Sequence, residues 1–516
     1  MAKRTVVLVV LDGWGIGKED FSNPIHIVNP PNINYIKQNF PSGSLQASGI
    51  AVGLPWGEEG NSEVGHLNMG AGKIIYQNYP RITLSIRNGD FFKNEIIKKA
   101  FKRAKKNNSS VNLFGLLTEA NVHASFEHLE ALIKFAEKEN FPKERINLHL
   151  ITDGRDSPPQ SAENLINRLP YKEQVASLVG RFYGMDRDKH WDRTQETYKT
   201  ITGEGKITND IKTHISQAYQ KNLNDEYILP TLIGPQSRPI KDNDSLIFFN
   251  FREDRMKQIV RAFIEKDFKI FPVKTFSNLY VATMTKYDDS FNVDVISPLE
   301  KIEMCLSKVL ADEGKTQWRI AETEKYAHIT YFFNGKKETP FQNEFRVLVP
   351  SQIGFKYDEH PEMRANEITQ RLVEAIEEKA YDFILANYAN GDILAHTGNF
   401  DATTQAIKII DEQIGKLIKA VLETDAAMLI TSDHGNAERV LNPQTGEPET
   451  KHDASPVPVY LIGNEFKKPR TEEQIKSAER KQIGVLADIT PTVLELMGIK
   501  KPKEMPAQSL MESLLE

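Results

Sequence analysis

Residues 5–15 read Thr-Val-Val-Leu-Val-Val-Leu-Asp-Gly-Trp-Gly. The apolar run stops abruptly at Asp12 and a glycine-rich turn, a pattern typical of a strand in a sheet that is covered on both faces. A second run, 426–430, leads into Thr-Ser-Asp-His-Gly at 431–435, and a third, 383–386, leads to Asn387. The pattern predicts three buried strands that each end at polar residues.

The segments around these runs indicate an α/β fold. Residues 401–422 carry apolar side chains at helical spacing, and 362–379 predict a further helix just before the run at 383. A strand, a helix and a strand in succession predict a right-handed crossover and a parallel sheet. A second α/β region follows from four apolar runs and one helical segment in the middle of the chain: 111–117, 146–151, 177–180 and 246–250, with the helix at 125–139.

Length and composition exclude several classes of protein. The 516 residues, 40% hydrophobic and 26% charged, correspond to a folded chain and not to a disordered or collagen-like one. At about 100–200 residues per domain, the length corresponds to two to four domains. The net charge of −6 offers no general attraction to nucleic acid or to anionic lipid. With Cys305 as the single cysteine and no long apolar stretch, we expect a cytoplasmic monomer without a nucleic-acid or membrane partner.

Carboxylates and imidazoles follow the predicted strands near both ends of the chain. Ligands of open α/β sheets gather at the carboxyl ends of strands, so these side chains are candidate metal ligands. They are Asp12, Asp392, His396, Asp433, His434 and His452. Six side chains exceed one tetrahedral shell and predict two divalent cations, Mn²⁺, Zn²⁺ or Mg²⁺. Taken singly, a histidine or a strand-end aspartate of this kind is usually a helix cap or a turn residue.

Ser62 is the candidate nucleophile, within Gly-Asn-Ser-Glu-Val-Gly-His at 60–66. A serine at a helix start lies where free N–H groups attract an anion, and a bound metal would activate its hydroxyl. The alternative is that Ser62 is only a helix N-cap.

Arginines follow the predicted strands in the middle of the chain. They occur in Asp-Gly-Arg-Asp at 153–156, in the segments 180–188 and 191–193, and in Phe-Asn-Phe-Arg-Glu-Asp-Arg at 249–255. Guanidinium groups match the oxygens of carboxylates and phosphates, so the pattern predicts a small polyanionic ligand. Surface salt bridges are the alternative for any single motif.

Taken together, the motifs resemble the cofactor-independent (2,3-bisphosphoglycerate-independent) phosphoglycerate mutases of the alkaline phosphatase superfamily. The matching segments span nearly the whole chain: 11–15, 61–66, 153–156, 185–188, 321–328, 431–436 and 486–492. The chain departs from the family pattern at Gly391 and Glu253, where proline is common, and at 393–395. The segment around His452, residues 451–455, also matches only loosely.

The resemblance implies two α/β domains: an alkaline-phosphatase-like, metal-binding sheet domain made of residues 1–76 and 300–516, and an inserted phosphotransferase domain, 77–299. It implies that two divalent cations, Mn²⁺, are bound and that 2,3-bisphosphoglycerate is not needed. One ion would be bound by Asp392, His396 and His452, and the other by Asp12, Ser62, Asp433 and His434.

The resemblance also implies a reaction and its residues. Ser62 would carry the phosphoryl group between the two positions of phosphoglycerate, and Asp156 would act as general acid and base. The substrate-binding residues would be His123, Arg155, Asp156, Arg187, Arg193, Arg252, Arg255 and Lys325. Two alternatives stay open: a metal-dependent phosphatase or other phosphomutase of the same superfamily, and a catalytically inactive scaffold stabilised by metal.

Overall fold

Two sheets organise the chain, each within its own structural unit. The structure, a computed structural model, describes residues 4–234, 238–352 and 354–516. Unit 1 comprises the residues up to Gln77 and those from Lys301 onward, and unit 2 comprises Asn78–Glu300. No helix in these described ranges is long and apolar enough to cross a membrane.

The strands and helices are numbered in chain order. The strands are β1 (Val6–Leu11), β2 (Ser42–Gln46), β3 (Val111–Leu117), β4 (Ile146–Thr152), β5 (Val175–Gly180), β6 (Lys206–Thr208), β7 (Thr231–Ile233), β8 (Ser245–Phe248), β9 (Tyr280–Thr283), β10 (Asp294–Val295), β11 (Gln317–Glu322), β12 (Glu344–Val349), β13 (Phe383–Tyr388), β14 (Ala427–Thr431), β15 (Val457–Ile462) and β16 (Gln482–Val485). The helices are α1 (Pro24–Val28), α2 (Pro31–Asn39), α3 (Ser62–Ala71), α4 (Asn78–Arg87), α5 (Glu95–Lys106), α6 (Phe126–Lys138), α7 (Ala162–Arg168), α8 (Arg181–Gly184), α9 (Trp191–Lys199), α10 (Ile211–Gln220), α11 (Lys257–Ile264), α12 (Leu306–Asp312), α13 (Thr323–Ala327), α14 (Ala365–Glu377), α15 (Asn390–His396), α16 (Phe400–Thr424), α17 (Glu472–Arg480), α18 (Ile489–Leu496) and α19 (Met511–Leu515). Two π-helical turns occupy Thr200–Glu204 and His328–Phe332.

The sheet of unit 1 has β1 at its centre. Its strand order is β12-β11-β13-β1-β14-β15-β2-β16, and β1 runs parallel to β13 and β14, with Val6 opposite both Phe383 and Ala427. Alternate residues of β1 pack into two hydrophobic cores, with Val7 in one and Leu8 in the other, so both faces of the strand are covered. The α/β fold predicted from these apolar runs is confirmed.

One strand of unit 1 departs from the parallel arrangement. β15 pairs antiparallel with both β14 and β2. The chain between β14 and β15 contains no helix, and an antiparallel return needs no crossover helix. The helix predicted at 401–422 is α16, and the one predicted at 362–379 is the shorter α14.

The sheet of unit 2 is also mainly parallel, although its sequence differs from that of the sheet in unit 1. Its strand order is β10-β9-β8-β3-β4-β5-β7-β6, and within the described residues only β7 against β5 is antiparallel. The predicted strands and the helix of this region are present as β3, β4, β5, β8 and α6. The strand predicted at 246–250 ends earlier, at Phe248, because the side-chain oxygen of Asn250 accepts the N–H of Leu116 at 2.9 Å.

His149 on β4 gives unit 2 a specific sensitivity to acid. Its ring is fully buried, with Nδ1 2.9 Å from Ser177 Oγ and Nε2 3.2 Å from Asn112 Oδ1. Burial lowers the pKa of His149 from 6.5 to about 3. The folded chain therefore holds a neutral ring, so its stabilising contribution is complete above pH 6.5 and is lost as the pH falls toward 3.

We predict that His149→Gln makes the unfolding free energy less dependent on pH between pH 6 and pH 4. One buried neutral histidine contributes a slope of up to about 1.4 kcal/mol per pH unit in this range. Urea unfolding of both proteins at several pH values measures the difference, and His26→Gln, at an exposed histidine, is the control. Equal slopes for H149Q and the unchanged chain would contradict the prediction.

Candidate active site

Three of the predicted ligands meet at the end of β13. Asp392 and His396 lie one turn apart on α15, and His452 comes from the loop before β15. The Nε2 atoms of His396 and His452 lie 3.2 and 3.3 Å from Asp392 Oδ1 and 3.0 Å from each other. The loosely matching segment around His452 thus brings its imidazole to the same point as the two helical side chains.

Hydrogen bonds to backbone carbonyls orient both imidazoles. Nδ1 of His396 lies 2.8 Å from the carbonyl oxygen of Thr450, and Nδ1 of His452 lies 2.7 Å from that of Gly60. A carbonyl only accepts, so each Nδ1 carries a hydrogen. Asp392 raises the pKa of His396, and although burial lowers the pKa of His452, Asp392 outweighs burial and raises this pKa too; in its neutral form each ring presents the lone pair of Nε2 to its neighbours. Two lone pairs and a carboxylate facing one another fit a bound cation.

A second group of predicted ligands surrounds Ser62 in the interior of unit 1. The Ser62 hydroxyl lies 2.9 Å from His434 Nε2 and 3.2 Å from Asp12 Oδ1. His434 Nε2 is 3.6 Å from both Asp12 Oδ1 and Asp433 Oδ2, and 3.9 Å from Asp392 Oδ1. His434 therefore adjoins both groups of ligands, which form one continuous cluster.

Lys325 lies inside this cluster. Its Nζ donates to Asp12 Oδ1 at 2.5 Å, to Asp392 Oδ2 at 2.7 Å and to Ser62 Oγ at 2.7 Å. Burial lowers the pKa of the Lys325 ammonium, but the adjoining carboxylates outweigh this effect and raise it. Burial and the charge of Asp433 raise the pKa of Asp12 to about 7, although Lys325 acts in the opposite direction.

The charge of the cluster is not balanced by its own residues. Asp12, Asp392 and Asp433 are 1%, 3% and 0% exposed, and among the described residues Lys325 is the ammonium group that bonds to them. Buried carboxylates without partners are costly, so an ionised cluster with neutral imidazoles calls for further positive charge. The donor set and its charge fit divalent cations.

Local structure around Ser62 presents its hydroxyl to the ligands. Ser62 is the first residue of α3, and the N-cap is Asn61, whose side chain accepts the N–H of Val64 at 3.0 Å. The alternative in which Ser62 is itself the N-cap is therefore wrong. A Cβ on Gly65 would lie 2.7 Å from the carbonyl oxygen of Asp433, so only glycine lets the two segments approach this closely.

Asn387 and His66, which are not among the predicted site residues, contact the candidate metal ligands. Asn387 Nδ2 donates to Asp12 Oδ2 at 2.8 Å and lies 3.1 Å from His66 Nε2. Nδ1 of His66 lies 2.8 Å from the Ser62 carbonyl and 3.3 Å from Asp433 Oδ2. In the sequence, only the position of His66 four residues after Ser62 indicates that it belongs to the site. Asn387 is distinguished only by its position at the end of a predicted strand.

Glu438 connects the two loops that carry Asp12 and Asp433. Its buried carboxyl accepts the N–H groups of Gly15 at 3.0 Å and Asn436 at 2.8 Å. Burial raises the pKa of Glu438 to about 7. The loops are further joined by the N–H of Trp14, which donates to Ser432 Oγ at 2.8 Å.

A separate cluster lies within unit 2, at the carboxyl ends of the parallel strands β3, β4, β5 and β8. Arg181, directly after β5, is buried and donates from Nη1 to Asp153 at 2.5 Å and to Asp156 Oδ2 at 2.6 Å. Asp156 Oδ2 also faces His123 Nε2 at 3.8 Å. Arg181 stood in a quoted motif but was given no role.

The remaining members of this cluster gather around Asp254. Arg187 Nη1 donates to Asp254 Oδ2 at 2.6 Å, and Arg252 Nε lies 3.4 Å from Asp254 Oδ1. His123 Nδ1 approaches the same Oδ1 at 3.5 Å. The structure thus brings His123, Arg187 and Arg252 together around Asp254, an aspartate without an assigned role, and Asp156 adjoins this group at His123.

Three predicted arginines have other partners. Arg155 is exposed and lies 3.8 Å from Glu226, whereas Arg193 stacks on Phe182 and is 3.5 Å from Asp186. Arg255 Nη1 donates to the carbonyl of Met185 at 3.1 Å.

Two of the departures from the family pattern, Glu253 and Gly391, take part in local contacts. The carbonyl of Glu253 accepts the N–H of Met256 at 2.9 Å, just before α11. A Cβ on Gly391 would lie 2.7 Å from the carbonyl oxygen of Asp12, so the absence of a side chain permits this contact.

A mixed α/β sheet whose strand ends hold a serine amid aspartates and histidines is typical of metal-dependent hydrolases and phosphotransferases. In agreement with this class, the profile of the Metalloenzyme superfamily matches residues 4–501.

Relatives define the family more narrowly. A 2,3-bisphosphoglycerate-independent phosphoglycerate mutase of Clostridium botulinum is 43% identical, over 99% of this chain and 100% of its own. A protein of Methanosarcina barkeri, 2,3-bisphosphoglycerate-independent phosphoglycerate mutase 1, is also 43% identical, over 99% and 98%. The crystal structure of Leishmania mexicana phosphoglycerate mutase at low cobalt concentration matches with 29% identity and a TM-score of 0.53, covering 99% of this chain and 98% of that one. The chain belongs to the family of 2,3-bisphosphoglycerate-independent phosphoglycerate mutases, as the resemblance of its motifs indicated.

We predict that Asn387→Ala weakens cation binding. The variant removes the donor to Asp12 and the contact to His66, and loss of such an outer partner typically lowers metal affinity by about 10–100-fold. Calorimetric titration with Mn²⁺ measures the affinity, and Asn464→Ala at the exposed surface is the matched control. Unchanged affinity in N387A, with an unchanged circular dichroism spectrum, would show that Asn387 does not support the ligands.

Proposed function

We propose that this chain interconverts 3-phosphoglycerate and 2-phosphoglycerate without 2,3-bisphosphoglycerate, through a phosphoserine at Ser62. Full-length similarity to proteins of that name supports the overall activity. The observation that carries the proposal is the position of the Ser62 hydroxyl, 2.9 Å from His434 Nε2 and 2.7 Å from Lys325 Nζ. A serine in this setting is suited to act as a nucleophile, since groups that stabilise its alkoxide surround it.

We propose two divalent cations, Mn²⁺, as the resident cofactors. Asp392, His396 and His452 would hold one, and Asp12, Ser62, Asp433 and His434 would hold the other. Asp and His ligands without cysteine suit Mn²⁺. When bound, the cations supply positive charge that favours the serine alkoxide and balances the phosphoryl oxygens.

The residues of unit 1 would then transfer the phosphoryl group. Ser62 Oγ, reacting as an alkoxide, would form a bond to phosphorus while the bond from phosphorus to O3 of the substrate breaks, which leaves glycerate and phosphoserine. In the second step O2 of glycerate forms the new bond to phosphorus, and the bond to Ser62 Oγ breaks. Lys325 Nζ and the N–H groups at the start of α3 donate to the phosphoryl oxygens during both steps.

We assign substrate recognition to the inserted domain, residues 77–299, and metal binding to the phosphatase-like domain, residues 1–76 and 300–516. Asp156 would give a proton to the departing O3 and take one from O2, so the protons balance over the cycle. Arg155, Arg187, Arg193, Arg252 and Arg255 would bind the anionic groups of the substrate, together with His123. We further propose a cytoplasmic location, which the single cysteine supports.

We predict that the chain with Mn²⁺ converts 3-phosphoglycerate to 2-phosphoglycerate when no 2,3-bisphosphoglycerate is added. Ser62→Ala should lower the turnover by at least about 1000-fold, because loss of a catalytic nucleophile removes most of the rate enhancement. Product formation is followed by ³¹P NMR, and Ser477→Ala on the exposed face of α17 is the control.

The outcomes separate the alternatives. Release of inorganic phosphate in place of 2-phosphoglycerate would identify a phosphatase. Full activity of S62A would exclude the phosphoserine, and a lack of any turnover in the unchanged chain would favour an inactive scaffold.

A further inference from the structure

We propose that Asp254 is a positioning residue for phosphoglycerate recognition: it fixes the imidazole of His123 with its hydrogen on Nδ1 and aligns the guanidinium groups of Arg187 and Arg252. The inference rests on the proposed role of these three residues in substrate binding. It adds a residue for which neither the motifs nor the reaction required a role.

Asp254 is the common partner of three groups from three loops. Arg187, after β5, donates to its Oδ2 at 2.6 Å, while Arg252, after β8, and His123, after β3, approach its Oδ1 at 3.4 and 3.5 Å. The loops of His123 and Arg252 are joined by backbone as well, since the His123 carbonyl accepts the N–H groups of Phe251 at 2.9 Å and Arg252 at 3.2 Å. The carboxylate therefore lies at a fixed point between these loops.

Two buried polar atoms at this point lie 3.5 Å apart without forming a hydrogen bond. Asp254 Oδ1 and His123 Nδ1 have no hydrogen-bond partner among the described residues, although the His123 ring is only 4% exposed. Catalytic and binding hydrogen bonds are often long before the substrate binds and shorten in the complex. The pair is placed to form such a bond.

Charge and protonation determine which tautomer His123 adopts. Burial raises the pKa of the Asp254 carboxyl, but the Arg187 hydrogen bond and the Arg252 charge outweigh it, so the pKa is lowered and the group is ionised. Burial lowers the pKa of His123 to about 4, so the ring is neutral near pH 7 and carries one hydrogen. An ionised carboxylate only accepts, and Asp254 Oδ1 lies closer to Nδ1, at 3.5 Å, than Asp156 Oδ2 lies to Nε2, at 3.8 Å, so Asp254 favours the tautomer with the hydrogen on Nδ1.

The other ring nitrogen then becomes an acceptor toward the substrate. Nε2 of His123 faces Asp156 Oδ2 at 3.8 Å, and Asp156 is held by Arg181 at 2.6 Å. The lone pair of Nε2, beside the Asp156 carboxyl, is suited to accept a hydrogen bond, and the hydroxyl group of a bound phosphoglycerate is such a donor. Asp254 thereby contributes to selecting a hydroxy acid without touching it.

Asp254→Asn tests the proposal, since it keeps the shape but loses the charge. We expect kcat/KM for 3-phosphoglycerate to fall by about 10–100-fold, the range typical for an outer partner of a functional histidine. In the ¹⁵N-histidine-labelled protein, the Nδ1-protonated signal of His123, assigned with His123→Asn, should be lost or shifted. Asp254→Glu should restore part of the activity and the signal, and the neighbouring Glu253→Gln should change neither.

Two further variants distinguish this inference from the proposed function. If Arg187→Ala and Arg252→Ala also leave KM and kcat unchanged, the assignment of the cluster to substrate binding fails. If those variants raise KM while D254N keeps the His123 signal and the kinetics of the unchanged chain, the positioning role alone is wrong. Tighter substrate binding by D254N would also overturn it, since Asp254 would then compete with the substrate for the arginines.

Discussion

The structure of unit 1 depends on an excess of buried negative charge at the carboxyl ends of β1, β13 and β14. Asp12, Asp392 and Asp433 lie in the interior, and among the described residues Lys325 is the ammonium group that bonds to this cluster. Such a cluster is costly without cations. The fold places three imidazoles and the serine hydroxyl beside these carboxylates as further cation ligands. Asn387, which contacts His66, donates a hydrogen bond to Asp12 and so holds that carboxylate in place.

The cluster in unit 2 is organised in the opposite way. Here the carboxylates of Asp153, Asp156 and Asp254 hold arginines and a histidine at the ends of parallel strands. The net charge of −6 for the whole chain does not reveal either arrangement. The cluster in unit 1 gathers carboxylates that suit cations, whereas the cluster in unit 2 gathers arginines that suit an anionic substrate. In each unit the cluster lies at the carboxyl ends of the strands, because the parallel strands of a sheet end together there.

Sequence patterns predicted those parts that depend on local spacing. The apolar runs predicted the central strands, and the spacing of Asp392 and His396 predicted their common helical turn. The role of Asn387 could not be predicted from local spacing, because its contact with Asp12 depends on the register between β1 and β13. In this register Val10 lies opposite Asn387. Asp254 likewise acquires its role only from three loops that are far apart in sequence.

The positions of Ser62 and Lys325 could not be predicted in full from local sequence patterns or from the family resemblance. The position of Ser62 near a helix start suggests a helix cap, but the Asn61 side chain accepts the N–H of Val64, so Asn61 is the cap and the serine hydroxyl is left for the ligands. Lys325 was grouped with the substrate-binding residues by resemblance, and its ammonium lies between Asp12 and Asp392 because three carboxylates attract it there.

The buried carboxylates of unit 1 are expected to bind two divalent cations. A crystal of the full chain grown with Mn²⁺, measured at the manganese absorption edge, tests it directly. We expect two anomalous peaks, one beside Asp392, His396 and His452 and one beside Asp12, Asp433 and His434. No peak at these side chains, or manganese bound only elsewhere on the chain, would contradict it.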